Sequence, residues 1–302
     1  MGYRDYSTAK GLIVDASGHG DFTSISSAIA AASSGHTIFV RPGTYTENPT
    51  GKAGVDITAF IADAYEPNVT INGTFTFSAN GSTSMSGINF QTNSSYAFAV
   101  TGSNPSFVAL NNCLFTCTNN TGIEFSSSNA SAEIQMYNCG GVLDITGIAL
   151  YTMSSPGTFV ITDLSFGNEN NSTISSNNSA GTVFIFRSNI NIPFSSSSTG
   201  ALAAQYCYIN TAGGNSTGLT FNGTGGGNVC EFSRIISGSA SAISIGVGVL
   251  CTVTHSVINS SNTNAVTGSG TLNAGLITFE GTSSTINTST VNKLITYGGT
   301  IV

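Results

Sequence analysis

The sequence predicts an all-β solenoid of stacked parallel coils, a parallel β-helix, with one helix near its start. Three observations carry that expectation. Apolar residues recur in pairs, two positions apart, at intervals typical of repeat folds. Charged residues make up only 7% of the 302 positions, against about 25% in typical soluble domains. A single amphipathic helix is legible, and it lies close to the N-terminus. Ser, Thr, Asn and 36 Gly fill the remaining space. Such residues can coat a solenoid while aliphatic and aromatic side chains fill its narrow interior. A disordered low-complexity chain would share the polar content, but 40% hydrophobic residues and 18 Phe argue for an ordered core.

The entry comes first. Residues Ile13 to Asn48 read IVDASGHGDFTSISSAIAAASSGHTIFVRPGTYTEN. A short apolar strand leads into a turn between Asp15 and Asp21, where Asp21 is expected to cap the helix. Phe22, Ile25, Ala28, Ile29 and Ala32 recur at spacings of three and four, so one helical face is apolar and the other Ser-rich. A second strand, Thr37 to Val40, then runs into Arg41, Pro42, Gly43, Thr44, Tyr45, Thr46 and Glu47. Gly43 is expected to turn the chain after Pro42, with Tyr45 filling the first coil. The chain thus divides into an extension (1–12), a strand-helix-strand entry (13–48) and coils with a closing segment (49–302).

The coils follow. With Cys113, Cys139, Leu164, Asn189, Cys207, Ile235 and Ser256 as references, the separations are 26, 25, 25, 18, 28 and 21 residues. Five and three residues before each stand Val108/Leu110, Ile134/Met136, Phe159/Ile161, Phe184/Phe186, Leu202/Ala204, Cys230/Phe232 and Cys251/Val253, and Ile277/Phe279 extends the series. The fourteen residues of the seven pairs are predicted to be buried, because alternate residues of a strand face the same side. Further apolar pairs at Ile123/Phe125, Ile148/Leu150, Leu219/Phe221 and Ile243/Ile245 supply another strand per coil. Coils stacked at roughly 4.8 Å would make ten of them a rod on the order of 50 Å long. An antiparallel sandwich is the alternative, but it requires a turn signal between every pair of strands. One position before the first three references lie Asn112, Asn138 and Asp163, expected to stack as a polar ladder at a turn.

The IVDASGHGDF to GTYTEN stretch resembles the N-terminal entry of pectin lyase-like β-helices. That resemblance implies a right-handed parallel β-helix whose helix plugs the open end of the stack. Gly43, Tyr45 and Glu47 match the Gly-x-Tyr-x-Glu of pectin methylesterases. The Gln, Asp and Arg motifs that carry that family's esterase chemistry find no counterpart here, and the chain has no Trp. A calcium-dependent lyase would need clustered acids beside an Arg, which Arg187 and Arg234 lack in sequence. The segment from Leu276 to Val302 is similar in style to phage tail fibres. That similarity implies a virion or cell-surface protein, other fibre proteins as partners and a homotrimeric assembly.

Glycoside hydrolysis is the enzymatic alternative, needing two carboxyls about 5 to 9.5 Å apart. Asp144 and Glu169 each fall five residues after a reference, one coil apart, with Asp163 and Glu124 as neighbouring candidates. The competing reading is solvated surface acids. For binding, Tyr137, Tyr151, Tyr206 and Tyr208 would supply rings to a neutral, hydroxyl-rich groove suited to surface polysaccharide. His19, His36 and His255 lie too far apart to suggest a metal site, and no cofactor motif occurs. Six Cys without a CxxC pair read as buried thiols. Net charge is −7 and the basic residues are scattered, so no phosphate-binding stripe exists for nucleic acid. No apolar run is long enough for membrane insertion, and MGYRDYSTAKG has no signal-peptide core. The expectation is cytosolic synthesis followed by assembly into a virion or an extracellular surface.

Overall fold

A computed structural model describes residues 11–60, 68–92, 96–117, 121–143, 151–153, 157–167, 174–176, 181–191, 194–196, 200–211, 217–224, 226–262, 264–280, 285–292, 296–297 and 300–301. The chain is a right-handed parallel β-helix closed at its N-terminal end by one short helix. Each coil lays down a strand on a first face, turns a sharp corner, and continues on a second face. It then crosses to a third face before climbing to the next coil. One coil reads Pro105–Asn111, Leu114–Cys117 and Thr121–Phe125 in this order. Every strand pairing among the described residues is parallel, and side chains stack in register from coil to coil. On the first face Val108 lies over Ile134, then Phe159, Val183 and Leu202. Leu110, Met136, Ile161, Ile185, Ala204, Cys230, Val253 and Ala274 form the second buried row.

The interior is apolar and aromatic in the early coils. Phe75 and Phe98 stack at 5.4 Å between ring centroids, and Phe90 stacks on Phe115 at 5.3 Å. Gly141 is required where Phe115 packs in the coil below. At φ 155° it brings its backbone so close that a Cβ would lie 2.1 Å from the Phe115 carbonyl oxygen.

At the entry, strand Gly11–Val14 pairs with Thr37–Val40, and the helix Ile25–Ala31 lies between them in sequence. Ile25, Ala28 and Ile29 are buried over the first coil. The helix cap differs from expectation. Ser24 is the N-cap, accepting from the Ser27 amide, while Asp21 accepts from the Ile13 amide and ties the turn to the first strand. The remaining helix donors go to Glu47. Its two carboxylate oxygens accept from the Ile25 and Ser26 amides at 2.7 and 2.9 Å, and from the Ser26 hydroxyl. A carboxylate there satisfies orphan N–H groups and favours the positive end of the helix dipole. Lys52 reaches the other end, donating to the Ala32 carbonyl at 2.5 Å. Tyr45 is buried, its hydroxyl donating to the Arg41 carbonyl. The Gly-x-Tyr-x-Glu segment therefore builds the cap.

Eleven of the fourteen paired residues predicted to be buried are so. The exceptions come from coils whose register is shifted, by one residue at Phe184 and Phe186 and by two at Phe232. In the run Thr182–Phe186 it is Val183 and Ile185 that occupy the core rows, so Phe184 and Phe186 point outward and stack on each other at 6.1 Å. Val183 to Phe186 are all apolar, so a one-residue slip exchanges the faces without changing the pattern. Phe232 is likewise outside, at the corner, and Asn228 and Cys230 fill its coil's inward positions. Ile277 and Phe279 pair with Ser256 and Ile258 beyond the corner, and Leu272 and Ala274 fill the first-face rows of that coil. Among the described residues of the third face, Ile123, Phe125, Leu219, Phe221, Ile243 and Ile245 are all buried. Ile148 and Leu150 lie outside the described residues.

Candidate binding site at the left-handed corner

The corner between first and second faces is built the same way in coil after coil. One residue takes a left-handed conformation: Gly87 first, then Asn112, Asn138, Asp163, Arg187, Tyr206, Phe232, His255 and Leu276, the last eight with φ between 46° and 56°. Asn and Asp visit this region readily, whereas other L-residues there cost roughly 1–2 kcal/mol. Interchain-like ladder bonds hold them in place. The amides of Asn112, Asn138, Asp163, Arg187, Tyr206 and Phe232 each donate to a carbonyl one coil on, at 3.0 to 3.1 Å.

The next residue turns inward and is small and polar in most coils: Cys113, Cys139, Ser188, Cys207, Ser233, Ser256. Ser188, Ser233 and Ser256 each donate to the carbonyl two residues back and accept an amide from the coil before, at 3.1 to 3.3 Å. The Cys113, Cys139 and Cys207 thiols make the same two-residue-back contact. Burial pushes the Cys207 thiol up to about 11 and Cys230 to about 12, so these sulfurs stay protonated and serve packing. Cys113, Cys139, Cys207, Cys230 and Cys251 are buried and free.

Outside, the corner side chains fall into a column with three segments. Asn138 donates its amide to Asn112 Oδ1 at 2.8 Å, the first rung of the expected polar ladder. Asp163 does not extend that ladder. It pairs with Arg187 instead, Nε and Nη2 each 2.9 Å from a carboxylate oxygen. Hydrogen bonds from Arg187 hold the Asp163 carboxyl below the usual carboxylate range, and Asp163 raises the guanidinium. Beyond them, Tyr206, Phe232 and His255 stack at 5.0 and 4.8 Å with planes within 12° of parallel. Tyr206 is 59% exposed and Phe232 47%.

An open groove of about 620 Å³ lies where the column changes from ion pair to aromatic stack, lined by Thr162, Phe186, Arg187, Gln205 and Tyr206. The flanking acids are engaged. Glu231 accepts from Gln205 at 2.8 Å and from the Thr254 hydroxyl at 3.2 Å. Glu280 pairs with Arg234 at 2.6 Å.

Of the residues expected from sequence, Tyr206 lines this groove and Asp163 braces it. Tyr137 and Tyr208 are exposed on the same outer surface. Tyr151 belongs to the third face, paired with Ile123, and Glu124 sits there too, away from the corner that holds Asp163. Asp144 and Glu169 lie outside the described residues. Thr162, Phe186, Arg187, Gln205, Phe232 and His255 carried no signal by themselves; only the left-handed column brings them together. Among the described residues no cluster of His, Cys, Asp and Glu is arranged to hold a metal ion, and no helix is long and apolar enough to cross a membrane.

No family model and no curated protein sequence matches this chain. Two crystal structures of the Aspergillus niger pectin methylesterase are similar in shape. The penultimately deglycosylated form aligns at 16% identity and TM-score 0.44 over 93% of this chain and 88% of that one. The deglycosylated form aligns at 15% identity and TM-score 0.38, over 91% and 87%.

Proposed function

We propose that this chain is a non-catalytic structural and attachment protein of a virion or cell-surface fibre, and that it holds glycan chains at the corner groove. The observation that carries the reading is the groove itself. An aromatic ring on one side, a guanidinium on the other and amide and hydroxyl groups between them suit a sugar, which has apolar ring faces and hydroxyl edges. The carboxylates around it speak for holding over cleaving. A glycosidase needs one acid able to give up a proton and a second free to attack or activate water. Asp163 is locked in a two-point ion pair and kept ionised, and Glu231 accepts two hydrogen bonds.

The test is incubation of the purified protein with host envelope polysaccharide, following both retention and reducing ends. Retention with unchanged chain length is the expected result. New reducing ends would overturn the non-catalytic reading in favour of a polysaccharide depolymerase.

A further inference from the structure

The corner column has three segments, with one join between Asn138 and Asp163 and a second between Arg187 and Tyr206. Asn112 holds Asn138, Asp163 holds Arg187, and Tyr206, Phe232 and His255 hold one another. Between Arg187 and Tyr206 the sequence of contacts breaks, because the guanidinium is drawn toward Asp163, one coil back. Phe232 covers one face of the Tyr206 ring, and the groove opens beside Arg187. At about 620 Å³ it falls within the range of roughly 300–1,000 Å³ seen for small-ligand sites.

Charge narrows what can sit there. Asp163 and Glu231 against Arg187 leave one negative charge in excess, and the Arg234–Glu280 pair beyond them is neutral. An anionic sugar would meet that excess while Arg187 is already matched by Asp163. A cationic sugar would have to displace Gln205 and Thr254 from Glu231, or Arg187 from Asp163. Uncharged hydroxyls meet no such conflict. Two of the five guanidinium N–H donors go to Asp163, which leaves three for a ligand.

We infer that the groove between Arg187 and Tyr206 seats an uncharged pyranose unit of a polysaccharide, its apolar face on Tyr206 and its hydroxyls on Arg187, Gln205 and Thr162. The inference rests on the glycan-binding reading and names its ligand class. The test is affinity electrophoresis of the whole chain in gels containing galactomannan, dextran or xyloglucan as neutral probes, and polygalacturonate or alginate as acidic ones.

Retardation by at least one neutral probe is expected, undiminished at about 0.5 M salt, where charge attraction is screened. Tyr206→Ala should weaken it about tenfold, the size of a lost ring contact. Tyr206→Phe should retain it, which guards against a folding artefact, and Val247→Ala, on a distant exposed turn, should match the parent. Binding to acidic probes alone, abolished by salt, would overturn the uncharged ligand while leaving glycan binding standing. Binding unaffected by Tyr206→Ala would overturn the seat. No retardation in any gel would overturn both this inference and the glycan reading beneath it.

Discussion

The N-terminal cap and the corner column both complete the hydrogen bonding of irregular backbone, and they do it in opposite ways. At the cap, side chains perform the task. Glu47 takes up the amides at the head of the helix and Lys52 the carbonyl at its tail. Asp15, itself buried, binds Ser17 through backbone and hydroxyl and Arg41 through its guanidinium. At the corner the main chain satisfies itself from coil to coil, together with the small inward residue, so the outward side chain is left over. Asn, Asp, Arg, Tyr, Phe, His and Leu all occupy that position with nearly the same φ. A cap residue is therefore specified by its partner, whereas a corner residue is specified by what the surface is for.

The largest effect expected from this contrast concerns which side of the strand feeds the corner. Phe159→Ala removes a ring with no solvent exposure and should cost about 3–5 kcal/mol. Phe184→Ala, one coil on but facing outward, should cost less than about 1.5 kcal/mol, little more than its stacking on Phe186. Hydrogen exchange of the flanking strands reads both locally, as suits a solenoid whose coils depend on their neighbours. Equal costs would mean that the inward register belongs to Phe184.

That register shows where sequence reasoning reached and where it stopped. The parallel coils, the lone helix and most of the core were legible because apolar alternation is a local signal. It failed at Thr182–Phe186, where every residue after Thr182 is apolar and alternation carries no information. The better marker is the inward Cys or Ser after most corners: Ser188 and Ser233, in place of Asn189 and Ile235, set the coils correctly. The groove was only partly legible. Tyr206 stood out as an exposed ring, but Asp163 and Arg187 lie 24 residues apart. They meet only because the coil between them returns the chain to the same corner.

A smaller effect tests specification by partner. Glu47→Ala leaves the amides of Ile25 and Ser26 without their acceptor and should cost about 1.5–3 kcal/mol, the range for hydrogen bonds to a charged group. Glu47→Gln should recover part of it. Leu276→Gly at the corner should instead stabilise by about 0.5–1 kcal/mol, because glycine takes φ 50° without the side-chain penalty and pays back only part of that in chain entropy. Thermal melts of the three variants order these outcomes. A Leu276→Gly loss comparable to Glu47→Ala would show that the corner side chain is part of the scaffold.

The smallest effect separates the two regions by pH. Asp15 and Asp163 both have carboxyls held below their ordinary value, Asp15 chiefly by hydrogen bonds from Ser17 and then by Arg41, Asp163 chiefly by Arg187. A folded value below the unfolded one, about 3.9, means that each group stabilises the fold above that pH. The contribution fades as pH falls through the lower folded value. The side chains of Arg187 and Asp163 are 60% and 30% exposed, so solvent screening should keep the Asp163 contribution under about 1 kcal/mol. Asp15, buried and accepting from three donors, should contribute more. Melting temperatures of Asp15→Asn and Asp163→Asn, compared with the parent from pH 7 to about pH 3, read the difference. Both variants should melt below the parent at neutral pH, Asp15→Asn by the wider margin, and both gaps should close in acid. A gap at Asp163→Asn that persists to the acid end would mean that the residue's tolerance of the left-handed corner, rather than its charge, is what Arg187 relies on.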